Sequence, residues 1–240
     1  MHGGVYTVII GVNGEVKMDF WRRQKPIFSR EEEKKLRNMT VYIAGAGGLG
    51  THQALELQRA GIKKIYLVDF DRVEASNLNR QVFYGRNDIG RYKVEAAGEF
   101  LQRFNLETEI VTINKKITLQ SEIPDDVDVI YDALDNFDTR FILDELAEKA
   151  QLPFVHAGIN SWYGQITTIL PAETPRLRDI FGEGAEPEEE IPVFSPVVAI
   201  IASLQVVEGI KIYLDYDNNL ANKLLLVDTN DYSLNKVNLN

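Results

Sequence analysis

Three stretches of this chain concentrate side chains suited to managing phosphate. They read Asp69-Phe-Asp71-Arg-Val-Glu-Ala-Ser-Asn77-Leu-Asn79-Arg80-Gln81, then Asp88-Ile-Gly-Arg-Tyr-Lys93, then Asp132-Ala-Leu-Asp135-Asn136-Phe-Asp-Thr-Arg140. Arginine forks, a lysine point charge and a carboxylate able to hold Mg²⁺ are what spreads the crowded negative charge of a triphosphate. An ordinary dehydrogenase has no need of them. Taken singly, each group also has a structural reading: Arg80 and Lys93 as solvated cations, Asn77 as the cap of a turn, Asp135 or Asn136 as a helix N-cap.

A glycine run supplies the other half of a phosphate site. Val41-Tyr-Ile-Ala-Gly45-Ala-Gly47-Gly48-Leu-Gly50 is an apolar stretch that breaks into glycines where a helix should begin. Backbone without Cβ atoms can approach an anion there, and the free N–H groups and dipole of the helix face it. The periodicity predicts that helix over Leu49 to Ala60, with Gly61 as its C-terminal cap. A strand follows from Ile65 to Asp69. Asp69 stands about twenty residues beyond the glycines, where an acidic side chain can take the ribose hydroxyls of a nucleotide.

The elements that must position these groups alternate between strand and helix up to about residue 160, the pattern of an α/β, Rossmann-like doubly wound sheet. A helix is expected from Lys93 to Phe104, strands at Glu109 to Ile113 and Val127 to Ala133, a helix from Thr139 to Ala150 and a strand at Phe154 to Ile159. Gly164 to Leu170 follows after too short a loop for a parallel crossover, so it should be antiparallel and the sheet mixed. Loops after neighbouring strand ends converge in such a sheet. Asp69, Arg80 and Asp135 can therefore meet.

Residues 1–20 form an expected N-terminal β-hairpin extension, in which Tyr6 to Val12 and Glu15 to Phe20 flank the turn signal Asn13-Gly14. This hairpin offers an extra edge for dimerisation or docking. Residues 21–240 form the nucleotide-binding domain. Within it, 171–196 reads as a long mobile crossover loop, rich in Pro, Glu and Gly and holding Glu186 and Glu188 to Glu190. A long apolar helix from Val197 to Leu214 and a closing strand from Leu224 to Asp228 complete the expected single domain.

With 240 residues and 45% hydrophobic content, the chain can bury one full core. No apolar run is read as bilayer-spanning and the N-terminus lacks a signal-peptide layout, so a cytoplasmic protein with no membrane partner is expected. The absence of cysteine excludes disulfides, a thiolate zinc site and a cysteine nucleophile within these residues. A formal charge of −10 makes nucleic acid an unfavourable partner. His52 and His156 are isolated and receive no role. Trp162 and Tyr163 are read as core packing, with contact to a bound tail or to adenine as the alternative.

Taken together the motifs resemble those of the activating enzymes of ubiquitin-like proteins, in their ThiF/MoeB/HesA branch. The resemblance runs from about Trp21 to the end of the sequence. It is carried by Gly45–Gly50, Asp69–Gln81, Asp88–Lys93, Asp135-Asn136 with Arg140, Gly164-Gln165, and Ser195-Pro196 with Ser203-Leu204-Gln205 and Glu208. It implies a homodimer that uses ATP and Mg²⁺ to adenylate the C-terminal carboxylate of a small ubiquitin-like, ThiS/MoaD-like carrier with a Gly-Gly tail, releasing pyrophosphate. The pathway would be molybdopterin, thiamine or tRNA thiolation.

Carried over position by position, the resemblance assigns Gly45, Gly47, Gly48 and Gly50 to ATP and Asp69 to the ribose. It assigns Asn77, Arg80 and Lys93 to the phosphates, Asp135 to Mg²⁺, and Gln81 to the support of Arg80. Asp71 and Asn136 join the nucleotide-binding set. Arg23 matches an arginine that reaches the γ-phosphate in the neighbouring subunit, although Phe20-Trp21 replaces the usual Arg-Tyr before it. Relatives that carry a structural zinc use paired cysteines, and none is present, so no structural zinc is expected. A thioester or acyl-disulfide step is excluded for the same reason. The alternatives are activation of a carboxylate on modified tRNA or a peptide, a non-catalytic nucleotide-binding partner, and, on fold alone, an NAD-linked oxidoreductase.

Overall fold

Thr40–Ala44, the strand that runs into the glycines, is buried along its whole length, as a strand in a parallel sheet covered on both faces must be. In the computed structural model, which describes residues 9–10, 16–17, 20–104, 106–183 and 191–239, it is the third strand, β3. Short strands β1 (Ile9–Ile10) and β2 (Val16–Lys17) pair antiparallel before it. After it come β4 (Lys64–Val68), β5 (Glu109–Ile113), β6 (Val129–Asp132), β7 (Phe154–Asn160), β8 (Tyr163–Ile169), β9 (Lys223–Asp228) and β10 (Ser233–Asn238). The helices are α1 (Arg30–Leu36), α2 (Gly48–Ala60), α3 (Lys93–Gln102), α4 (Phe137–Ala150), α5 (Leu177–Phe181) and α6 (Ser195–Tyr213).

Strands β3 to β10 form one sheet in the order β10-β9-β8-β7-β6-β3-β4-β5. From β5 to β7 every pairing is parallel, and from β7 to β10 every pairing is antiparallel. Alternation along β3 sorts its side chains between two cores. Val41 and Ile43 join Leu57 of α2 and Ile201 of α6 on one face, while Tyr42 and Ala44 join Phe141 and Leu143 of α4 on the other. The chain is thus a single α/β domain, doubly wound in its parallel half.

Several boundaries differ from the sequence reading for local reasons. α4 starts two residues early because Asn136 Oδ1 accepts from Thr139 N at 2.9 Å, so the N-cap reading holds for that residue. Leu224 to Asp228 is not the closing strand. β10 pairs outside it, and its mostly polar sequence at an exposed edge gave no alternating signal. α1 was not anticipated either, although Ser29 and Glu32 form a reciprocal capping box at its start.

The segment 171–196 is not wholly irregular. It contains α5, whose Leu177 is buried, and Arg176 Nε lies 2.8 Å from Asp144 Oδ1 of α4. Five residues are too few to show a helical period. Glu186, Glu188 to Glu190 and the Asn13-Gly14 turn lie outside the described residues. α6 corrects another expectation, because by length and composition alone it could cross a membrane. Its apolarity has a local use: Val197, Val198, Ile201, Ala202 and Val206 pack into the core between α2 and the sheet. Gln205 Nε2 donates to Asp132 O at 2.9 Å and Val155 O at 3.0 Å, while Glu208 Oε1 accepts from Thr168 Oγ1 at 2.7 Å and Leu220 N at 2.6 Å.

Candidate active site

The glycine run divides its work. Gly45 has φ +106°, and a Cβ there would stand 2.5 Å from Ala133 O, so both the turn and the neighbouring strand demand glycine. A Cβ on Gly50 would lie 1.9 Å from Gly45 O. Gly50 therefore brings α2 close to the turn and does not itself line the cleft. Gly47 is the N-cap of α2, and Gly47 and Gly48 border the open space that the helix N-terminus faces. That space is a cleft of about 380 Å³ beyond the C-terminal ends of β3, β4 and β6. Strand order reverses there, between β3 and β6, which is where doubly wound sheets bind ligands.

Asp69 emerges from β4 into this cleft with its carboxylate fixed by backbone: Oδ2 accepts from Ala46 N and Oδ1 from Asp71 N, each at 2.7 Å. Burial raises its pKa, opposed by the charge of Lys93 and by these two hydrogen bonds. A carboxylate offers about four acceptor sites, so two hydrogen bonds leave capacity for ribose hydroxyls. Lys93, buried at the start of α3, lies with Nζ 3.0 Å from Asp71 Oδ2. Its ammonium has further protons for a phosphate. Arg80 lines the opposite flank, and its Nη1 donates to Ser76 O at 3.0 Å and Asn79 Oδ1 at 2.8 Å.

Gln81 is buried and lines the cleft beside Gly47, but it does not hold Arg80; Ser76 and Asn79 do. Asn77 is also buried, and its Oδ1 accepts from Glu74 N at 3.0 Å. It organises the turn carrying Arg80 and is not among the cleft-lining residues, as its capping chemistry allowed.

Asp135 is exposed at the cleft mouth, where Asn136 Nδ2 donates to its Oδ1 at 3.1 Å. Among the described residues no group of three or more His, Cys, Asp or Glu side chains could hold a metal. One exposed carboxylate still suits Mg²⁺, which is commonly held by one or two carboxylates with substrate phosphates and water completing its shell. Arg23 does not reach this cleft. Its turn is anchored by Trp21 Nε1, which donates to Arg59 O at 2.8 Å at the far end of α2. That is about 20 Å from the glycines by helix rise.

Sequence reasoning passed over Phe70, Lys115 and Ile117, which line the cleft beyond the ends of β4 and β5. Phe70 remains 49% exposed. The signal was positional: the residues just past two adjacent strand ends had to face the same crevice.

A second cavity, of about 570 Å³, opens beside the first against the antiparallel half of the sheet. Gly158, Tyr163, Leu226 and Asn235 contribute from β7 to β10, with Phe137 and Arg140 from α4. Trp162 and Tyr163 are 47% and 53% exposed, so neither is core. Tyr163 lines the second cavity, while Trp162 packs edge-on against Phe194 at 5.0 Å. Val193, joined to Ser161 by an isolated bridge, borders the first cleft.

The sequence pattern described as the ThiF family matches residues 21–240. The adenylyltransferase and sulfurtransferase MOCS3 of Culex quinquefasciatus is 32% identical over 212 residues, 85% of this chain, which spans only 48% of that relative. The sulfur carrier protein adenylyltransferase of Thermus thermophilus is 32% identical over 235 residues, covering 92% of this chain and 87% of the relative. In fold, the chain is similar to MccB of E. coli, with a TM-score of 0.79 at 21% identity over 93% of this chain and 73% of that one.

Proposed function

The chain belongs to the ThiF family, and from that premise we propose that it adenylates the C-terminal carboxylate of a small ubiquitin-like sulfur carrier. The observation that carries this reading is the meeting of Asp69, Arg80, Lys93 and Asp135 around one cleft at the strand-order reversal, with a second cavity alongside. The cleft suits ATP. The second cavity suits the extended, small-residue end of a carrier, delivered towards the α-phosphate.

The chemistry needs no general base, because a terminal carboxylate is ionised at neutral pH. A carboxylate oxygen forms a bond to the α-phosphorus, the bond to the bridging α–β oxygen breaks, and pyrophosphate leaves with that electron pair. Asp69 orients the ribose, and the N-terminus of α2 faces the phosphate chain. Arg80 and Lys93 neutralise charge that grows on the α-phosphate and the leaving pyrophosphate. Mg²⁺, when bound, would supply further neutralisation of the phosphate oxygens, with Asp135 as its protein ligand. The enzyme would act in the cytoplasm as a homodimer, with Arg23 serving the neighbouring subunit's nucleotide. Lacking cysteine, these 240 residues carry the reaction as far as the acyl-adenylate.

The test is ATP–pyrophosphate exchange with Mg²⁺ and candidate carriers bearing intact or truncated Gly-Gly tails. Exchange that depends on the intact tail is expected. Measurable ATP binding without exchange for any carrier would turn the assignment towards another carboxylate substrate.

A further inference from the structure

Asp132 ends β6 fully buried, and three groups converge on it. Its Oδ1 accepts from Leu134 N at 2.9 Å. Its Oδ2 lies 2.6 Å from His156 Nδ1 of β7 and 3.2 Å from Arg140 Nε of α4. Arg140 also donates from Nη2 to Leu134 O at 2.7 Å and Ala157 O at 3.2 Å. Leu134, immediately before Asp135, is thus held at both its N–H and its C=O.

His156 is an expensive choice for this place. The ring is fully buried, and burial drives its pKa down against the opposing pull of Asp132. Nδ1 donates to the Asp132 carboxylate, and among the described residues Nε2 has no partner. A buried nitrogen without a partner is destabilising, and an aliphatic residue would avoid that. What histidine adds is a rigid donor to Oδ2 of Asp132, leaving Oδ1 to Leu134 N. Arg140 also borders the second cavity.

We propose that His156 and Arg140 are positioning residues, which act through Asp132 to clamp Leu134 and so set the Asp135 carboxylate for Mg²⁺ on a bound nucleotide. This rests on the adenylation reading above. Partners of metal ligands at one remove commonly change metal affinity by about 10- to 100-fold when lost.

The experiment is calorimetric titration of ATP into the full chain, with EDTA and with Mg²⁺. Mg²⁺ should tighten ATP binding to the wild type. His156→Ala should lose about 10- to 100-fold of that Mg²⁺-dependent gain, with the affinity in EDTA unchanged. His156→Asn, whose amide N–H can stand near the position of Nδ1–H, should restore it. Arg140→Lys keeps a cation beside Asp132 but not the second donor to Leu134 O. It should show the same loss, and it decides the matter should His156→Ala fail the thermal-melt check for folding. A folded His156→Ala or Arg140→Lys protein with the full Mg²⁺ gain overturns the clamp alone, as does a wild type that binds ATP without any Mg²⁺ response. A wild type that does not bind ATP overturns the adenylation reading itself.

Discussion

The two cavities of this molecule rest on the two halves of one sheet. The first cleft lies over the parallel half of the sheet, and its lining comes from short stretches at strand ends: Gly45 with Gly47 and Gly48, Asp69 to Asp71, Arg80 to Gln81 and Ala133 to Asn136. The second cavity lies against the antiparallel half, and its lining comes from runs along neighbouring strands, Gly158 to Asn160, Tyr163 to Gln165 and Leu226 to Asp228, with Phe137 and Arg140 of α4 and Asn235 of β10. Charge and backbone geometry define the first. Shape and mixed polarity define the second. A phosphate chain needs fixed charges in fixed places, whereas an extended peptide end is held largely by length and fit.

The strongest way to sharpen this contrast is to strip charge from the first cavity. Arg80→Ala should lower pyrophosphate exchange by at least about 10³-fold, the scale at which a single arginine assists phosphoryl transfer, while the thermal melt stays near that of the wild type. Normal exchange by Arg80→Ala would remove the basis for calling the cleft a charge-defined site. Gly50→Ala should act through the scaffold instead. A Cβ set 1.9 Å from Gly45 O forces α2 and the turn apart, at a cost of about 1–3 kcal/mol or more, read as a lowered midpoint in chemical denaturation.

The second cavity should respond to bulk and not to charge. Asn235→Trp places a large ring among its lining residues and should raise KM for the carrier about tenfold, or 1.4 kcal/mol, with ATP affinity unchanged. Weakened ATP binding in that variant would show that the two spaces are one site, and the contrast would fail.

The smallest effect concerns pH. The pKa of His156 is lowered on folding from an ordinary value of 6.5. Below that value the unfolded chain takes up a proton that the folded chain does not. This contribution to stability is therefore intact above pH 6.5 and is lost as pH falls towards the folded-state pKa, with a slope of at most about 1.4 kcal/mol per pH unit. Denaturation midpoints of His156→Asn should fall less steeply over that window than those of the wild type. Equal slopes would mean that another group sets the acid response.

The same contrast explains what could be read in advance. The parallel half was legible because each of its requirements is local: a glycine where Gly45 turns with φ +106°, an acid at the end of β4, an apolar run for β3. Asn77 had two readings because a phosphate ligand and a turn cap call for the same residue type, and its bond to Glu74 N shows the capping use. Gln81 received the support of Arg80 from the resemblance alone, and the hydrogen bonds described for Arg80 go to Ser76 and Asn79. The antiparallel half was harder still. β10 has exposed polar residues with no period, α5 is too short for one, and the pairing of Asp132 with His156 joins residues 24 apart in sequence.

α6 has a consequence for the order of assembly. Gln205 satisfies the carbonyls of Asp132 and Val155 and meets Gln53 of α2 at 2.6 Å, while a Cβ on Gly48 would stand only 3.1 Å from Val198. During synthesis the glycine motif leaves the ribosome about 150 residues before the helix that completes its surroundings, and contacts of such long sequence separation slow folding because loop closure must come first. The parallel strands can pair early, but their apolar face waits for α6. The cleft's defining residues are thus made early, while the helix that packs behind them is made late.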